Sequence, residues 1–270
     1  MSEHTLKKAG LIGCGAIGTR IAKAIDSGEL KAALAGVCDI DPERARALSQ
    51  SLNGKPPIMS AAQIVDAADI VVEAAHVSAV PEAVDLCIEK GKDLMVMSVG
   101  GLTPEHFERF ENSAVNLYMP SGAVCGLDGV LASNLEHIDT VTLTTRKPPA
   151  GLKDAPFIVQ NNIDLDSLTA EKTVFEGSPA QAIKGFPKNI NVATTLYNAA
   201  NVDGKFRVRI VADPAVHSNI HEINLSGALG SIRITVENVP SPDNPRTSAL
   251  AYYSAIATLR KILSHVKIGT

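Results

Sequence analysis

The chain has 270 residues, 45% of them hydrophobic and 20% charged, with a formal net charge of -4 and no tryptophan. It is long enough to bury a sizeable core, and its acidic, aromatic-poor composition argues against a nucleic-acid surface or a stacking platform for single strands. Residues 1–8 are polar and lack the apolar core of a secretion signal, and no apolar run reaches the roughly 18 residues of a bilayer span. A cytoplasmic protein with no membrane partner is expected.

From residue 8 to about 119 the chain alternates short apolar runs with amphipathic segments. The runs at 9–13, 34–39, 70–74, 94–98 and 115–119 are continuous rather than alternating, as strands buried on both faces of a parallel sheet are. Helical patterns lie between them at 17–26, 42–51, 61–67, 80–89 and 104–110. Asp41 before Pro42 and Thr103 before Pro104 are N-caps followed by a first-turn proline, with His106 where a capping box usually has Glu. Gly28 and Gly91 stand where helices stop. This β-α repetition predicts right-handed crossovers and a doubly wound sheet.

After Met119 the rhythm changes. A small-residue loop at 120–126 leads to a helix at 127–135 and a strand at 139–145. Residues 152–172 are poorly patterned, 173–176 is a short strand, and 178–185 and 188–200 are helical. Three alternating segments follow. Phe206, Val208 and Ile210 share one face of the first, His221, Ile223 and Leu225 of the second, and Ile232, Ile234 and Val236 of the third. Such alternation predicts an antiparallel or mixed sheet with one wet face, and residues 227–230 predict a hairpin. A loop at 240–245 and a final helix at 247–265 complete the chain. The expected class is α/β: a Rossmann doubly wound parallel sheet over 1–125, an α+β domain on a mixed or antiparallel sheet over 126–245, and a C-terminal helix over 246–270 that can pack back on the first domain.

The first loop carries a phosphate-binding pattern, Gly13-x-Gly15-x-x-Gly18. Gly13 makes a tight turn, Gly15 admits a pyrophosphate and Gly18 lets the helix pack on the strand, while the helix N-terminus, with Ala16 and Ile17, offers N–H groups and its positive dipole end. Asp39 ends the second strand, where an acid binds the adenosine ribose. Its charge disfavours a 2′-phosphate, so NAD is the expected cofactor, with NADP possible because Arg44 is near. Ala75 and His76 belong to the next strand-end loop, where a small residue admits the nicotinamide ring. His76 is an acid–base candidate or a wall of that site.

The four cysteines (Cys14, Cys38, Cys87, Cys125) have no metal-type spacing, so reduced thiols and no metal are expected. Cys125 raises the thought of an acylating dehydrogenase, but no histidine follows in a matching motif. Between Asp213 and Ile223 two histidines and two carboxylates lie close together. His221 shares the inward face with Ile223 and is either a satisfied core residue or a catalyst; His217 sits in a turn.

Several segments resemble the L-aspartate dehydrogenase family. They are Gly185-Phe186-Pro187-Lys188-Asn189-Ile190-Asn191, Asn219-Ile220-His221-Glu222-Ile223, Pro120-Ser121-Gly122-Ala123, Leu143 to Lys147, Asn244 to Ser248, and the glycine turn itself. The resemblance runs in order over nearly the whole chain. It implies NAD(P)-dependent oxidation of L-aspartate to iminoaspartate, reversible as reductive amination of oxaloacetate, and a place in pyridine nucleotide biosynthesis. It maps the catalytic histidine to His221, and cofactor contacts to Ala123 and to Asn189 or Asn191. Lys188 is the leading candidate for a substrate carboxylate, ahead of Arg146, Lys147 and Arg246. A cyclic-imine reductase of the dihydrodipicolinate-reductase type, or a non-enzymatic nicotinamide sensor, are the alternatives. A homodimer is expected, from the half-wet sheet.

Overall fold

A computed structural model of the chain describes residues 6–187, 190–241 and 244–269. They form two compact units, one from Met1–Pro120 with Ala251–Gly269 and one from Ser121–Leu250.

The first unit runs β1 (Lys7–Ile12), α1 (Ala16–Asp26), β2 (Ala32–Cys38), α2 (Pro42–Ser51), α3 (Ala61–Ala67), β3 (Ile70–Glu73), α4 (Val80–Lys90), β4 (Asp93–Val96), α5 (Pro104–Glu111) and β5 (Leu117–Tyr118). Single 3-10 turns, Val77–Ala79 and Val99–Gly101, precede α4 and α5. All five strands are parallel in the order β2-β1-β3-β4-β5, so the winding reverses between β1 and β3. Ligands of such sheets bind at that reversal, beyond the strand carboxyl ends.

Period-two alternation sends side chains of one strand to opposite layers. Leu11, Val72 and Met95 pack with Ile21 and Ile25 of α1, whereas Ile12, Val71 and Val96 pack with Ile64 of α3 and Val84 of α4. Local chemistry sets the helix ends. Asp41 accepts from the Glu43 and Arg44 N–H groups, and Gly91 closes α4 with φ of 65°. His106 does serve a capping box: its ring Nδ1 accepts from the Thr103 N–H at 3.2 Å.

The second unit contains α6 (Leu127–Ser133), β6 (Ile138–Lys147), α7 (Pro156–Gln160), β7 (Lys172–Gly177), α8 (Pro179–Gly185), α9 (Ile190–Ala200), β8 (Phe206–Ala212), β9 (Ile220–Gly227), β10 (Gly230–Glu237), β11 (Pro240–Ser241) and β12 (Asn244–Ser248). Its sheet is mixed, ordered β10-β9-β6-β8-β7, with β6 and β8 parallel and the other pairs antiparallel. One face buries Leu143, Val208, Ile210 and Ile223 against Ala182, Phe186 and Leu196. A trio of rings, Phe157, Phe175 and Phe186, packs with centroids 5.2–5.6 Å apart.

The α/β class is as expected. Three local expectations are corrected. Residues 240–245 are not simply a loop: β11 and β12 pair antiparallel, and Pro240 and Pro245 stay compatible with a ribbon of only two strands, which has edges that need no donor. The last helix, α10 (Ala249–Leu263), begins two residues later than expected because β12 takes Thr247 and Ser248. Within the unpatterned 152–172 stretch lies the short α7, started by Pro156. Ala255, Ile256 and Leu259 of α10 are buried in the core that holds Leu11 and Ile21.

Candidate functional site

The three glycines of the first loop are needed for three different reasons. Gly13 has φ of 102°, and a Cβ there would lie 2.5 Å from the Ala74 carbonyl. A Cβ at Gly18 would fall 1.9 Å from the Gly13 oxygen, so α1 can seat on the turn only without a side chain. At Gly15 a Cβ would meet nothing within 4 Å, so this residue faces open space. Gly15 also caps α1 without any side-chain bond, leaving the first N–H groups of an 11-residue helix, at Ala16 and Ile17, to an external acceptor. An open cradle with uncapped donors fits a dinucleotide pyrophosphate.

Asp39 is half-buried and joins β2 to this turn. Its Oδ2 accepts from the Cys14 N–H at 2.6 Å and its Oδ1 from the Asp41 N–H at 2.9 Å. Beside it a groove of about 260 Å³ is lined by Cys14, Thr19, Arg44, Ala47, Leu48 and Ser51. Arg44 already pairs with Asp41 at 3.3 Å, an exposed contact worth little. Burial, with Asp39 adding to it, pushes the Cys14 thiol up to about 12, so this cysteine is an inert wall.

Ala75 and His76 follow β3 and are exposed. The His76 ring caps the 3-10 turn, its Nδ1 lying 3.0 Å from the Ser78 hydroxyl and accepting from the Ser78 N–H at 3.3 Å. One residue that pattern reading passed over sits just before them. Glu73 has no exposed surface, and its carboxylate accepts from the Ala75 N–H (2.8 Å), the Ser98 N–H (3.0 Å) and the Ser98 hydroxyl (2.9 Å). The only signal was an acid closing an apolar strand.

In the second unit, His221 lies on the core face of β9 with 5% exposure, opposite Thr145 of β6 and Val236 of β10. Its Nδ1 is 3.0 Å from the Thr145 hydroxyl, which is itself 2% exposed. Under this pair lies a void of about 10 Å³ lined by Leu143, Phe186, Ala193 and Ile210, too small and apolar to hold more than one water. Burial, reinforced by the Lys147 ammonium, lowers the His221 pKa to about 4. The imidazole is therefore neutral at physiological pH, with one nitrogen held and Nε2 not engaged by Thr145.

Glu222 points to the other sheet face, 3.9 Å from Arg146. Arg146 is shared among three carboxylates, with Glu171 in contact and Asp213 at 3.0 Å, so it is not poised for a substrate carboxylate. His217 and Cys125 are exposed. The Ala123 carbonyl accepts from the Asn238 amide at 3.2 Å, and Asn238 in turn accepts from Ser248. Asn191 is exposed in the first turn of α9, while Lys188 and Asn189 lie outside the described residues, as does the Arg246 side chain.

Residues 13–118 match the family model for the homoserine dehydrogenase NAD-binding domain, and residues 128–262 the one for the aspartate dehydrogenase C-terminal domain. The L-aspartate dehydrogenase of Methanosarcina mazei is 45% identical over 269 residues, which are 97% of this chain and 99% of the relative. The chain belongs to the L-aspartate dehydrogenase family. The Methanocella arvoryzae member is also 45% identical, over 97% of this chain and 99% of its own. Among solved structures, aspartate dehydrogenase from Thermotoga maritima superposes with a TM-score of 0.73 at 27% identity, covering 97% of this chain and 99% of that one. An L-aspartate dehydrogenase family member is an oxidoreductase dependent on NAD(P), which agrees with the cradle at Gly13–Gly18 and the NAD-binding match. No helix among the described residues is long and apolar enough to cross a membrane.

Proposed function

We propose that this protein oxidises L-aspartate to iminoaspartate, releasing a hydride to NAD(P)+ and a proton, and that water then converts the imine to oxaloacetate and ammonia. The observation that carries the reading is a buried, neutral histidine, His221, in a chain 45% identical to L-aspartate dehydrogenases over nearly its full length. Bound nicotinamide supplies the hydride acceptor, or the donor in reductive amination.

His221 is the proton-transfer group. Because it is neutral, its Nε2 can accept a proton from the substrate amine or from the water that attacks the imine. Thr145 holds Nδ1 and with it the ring orientation. Glu222 takes no part as a relay, since it pairs with Arg146. Gly13, Gly15, Ala16, Ile17 and Gly18 hold the pyrophosphate, Asp39 the ribose, and Ala75, His76, Ala123 and Asn189 or Asn191 the remainder of the cofactor. Lys188 binds a substrate carboxylate. NAD is preferred because Asp39 repels a 2′-phosphate. The protein works in the cytoplasm as a homodimer, and its iminoaspartate enters pyridine nucleotide biosynthesis.

The test is absorbance of the reduced nicotinamide with L-aspartate and NAD, then with oxaloacetate, ammonia and NADH. Turnover with both pairs is expected. Turnover with neither, alongside reduction of a cyclic imine, would replace aspartate by the reductase alternative.

A further inference from the structure

A carboxylate with no exposed surface is costly unless donors or a cation compensate it. Glu73 has no ion pair among the described residues. Instead three donors fill three of its roughly four acceptor sites, from the Ala75 N–H, the Ser98 N–H and the Ser98 hydroxyl. Ala75 follows β3 by two residues, and Ser98 follows β4 by two. One side chain therefore ties the exits of two neighbouring strands.

The loops it ties are packed without slack against the phosphate turn. A Cβ on Gly13 would lie 2.5–2.6 Å from the Ala74 carbonyl and the Ala75 nitrogen, so the turn rests on the peptide that Glu73 holds. A Cβ on Gly101 would lie 2.4 Å from the Val77 oxygen, so the 98–101 turn rests on the 77–79 turn. The three strand-end loops stack in a row, and the carboxylate is their polar link. A leucine of similar volume could fill the strand position but would leave two N–H groups and a hydroxyl unpaired.

We propose that Glu73 is a positioning residue for the dinucleotide: its carboxylate, through Ala75 and Ser98, sets the spacing of the turns at 13–15, 74–79 and 98–101 on which the cofactor lies. This rests on the cofactor site described above, and not on the identity of the amino-acid substrate. Glu73 does not touch the reacting atoms. It acts through the backbone of the turns it ties.

Three variants of the full chain grade the effect: Ser98→Ala removes one bond, Glu73→Gln misplaces one donor against another, and Glu73→Leu removes all three. NADH affinity is read by fluorescence titration at a temperature where circular dichroism shows each variant folded. The dissociation constant is expected to rise about threefold for S98A, about fivefold for E73Q and about tenfold or more for E73L. At saturating NAD, the KM for aspartate should stay within about twofold of the parent, a split that a general loss of stability would not produce. If E73L does not fold, E73Q and S98A decide. Affinities within about twofold of the parent in every folded variant overturn the proposal, even if their melting temperatures fall. Should the unmodified protein bind NADH yet turn over neither substrate pair, the aspartate reading fails while this comparison still stands.

Discussion

Glu73 in the first unit and His221 in the second are both buried ionisable side chains, but their partners differ. Burial raises the Glu73 pKa, and the donors around its carboxylate oppose that rise without cancelling it. His221 meets the Thr145 hydroxyl, and burial together with the Lys147 cation opposes its protonation. Burial pushes both groups toward their neutral forms, and the partners set what differs: donors from two strand exits gather on Glu73, while His221 meets one hydroxyl.

The largest effect should follow removal of the histidine. His221→Ala should lower kcat by about 10²–10⁴-fold while NADH affinity stays within about twofold, measured by steady-state kinetics and fluorescence titration. An unchanged kcat would make His221 a core residue and nothing more. Next is Asp39→Ala. If Asp39 holds the ribose, the NADP-to-NAD ratio of kcat/KM should rise about tenfold; if it serves only to tie Cys14 to the turn, both cofactors should weaken together.

The comparison also has a pH signature. His221 has its ordinary value of 6.5 when unfolded and about 4 when folded, so the unfolded chain binds the proton first as pH falls. Its contribution to stability is full above pH 6.5 and declines toward pH 4, by up to about 3 kcal/mol. Urea titrations of the parent and of His221→Phe should differ in slope over that window, and parallel curves would sink the assignment. Above pH 6 the parent's kcat/KM should carry no limb from His221.

The smallest effect concerns the hydroxyl. Thr145→Val keeps the shape but leaves Nδ1 unpaired, so kcat should fall about tenfold with a stability loss of about 1 kcal/mol, and Thr145→Ser should restore most of both. Nitrogen-15 spectra of the imidazole would show a mixed tautomer in the valine variant alone.

Legibility followed the range of the interactions. The parallel sheet, the caps at Asp41 and Thr103 and the turn at Gly13–Gly18 are local patterns, and the sequence shows them directly. β11 and β12 were masked by prolines, whose tolerance at a ribbon edge depends on what lies beside it. Glu73 looked like the polar end of an apolar run, because its donors come from Ser98, 25 positions away. Thr145 and His221 are 76 positions apart, and only the β6–β9 register brings them face to face. Arg146 stood among the candidates for a substrate carboxylate for the same reason: Glu171 and Asp213 reach it through tertiary structure.

The last helix carries a consequence for how the molecule is made. Tyr252, Ala255, Ile256 and Leu259 of α10 are buried, the last three in the core around β1 and α1, yet they leave the ribosome after the whole of Ser121–Leu250. The second unit is therefore fully synthesised while the first still lacks a wall. The core around β1 and α1 is completed only by α10, so until that helix is made Leu11, Ile21 and Ile70 lack part of their cover and are exposed to aggregation.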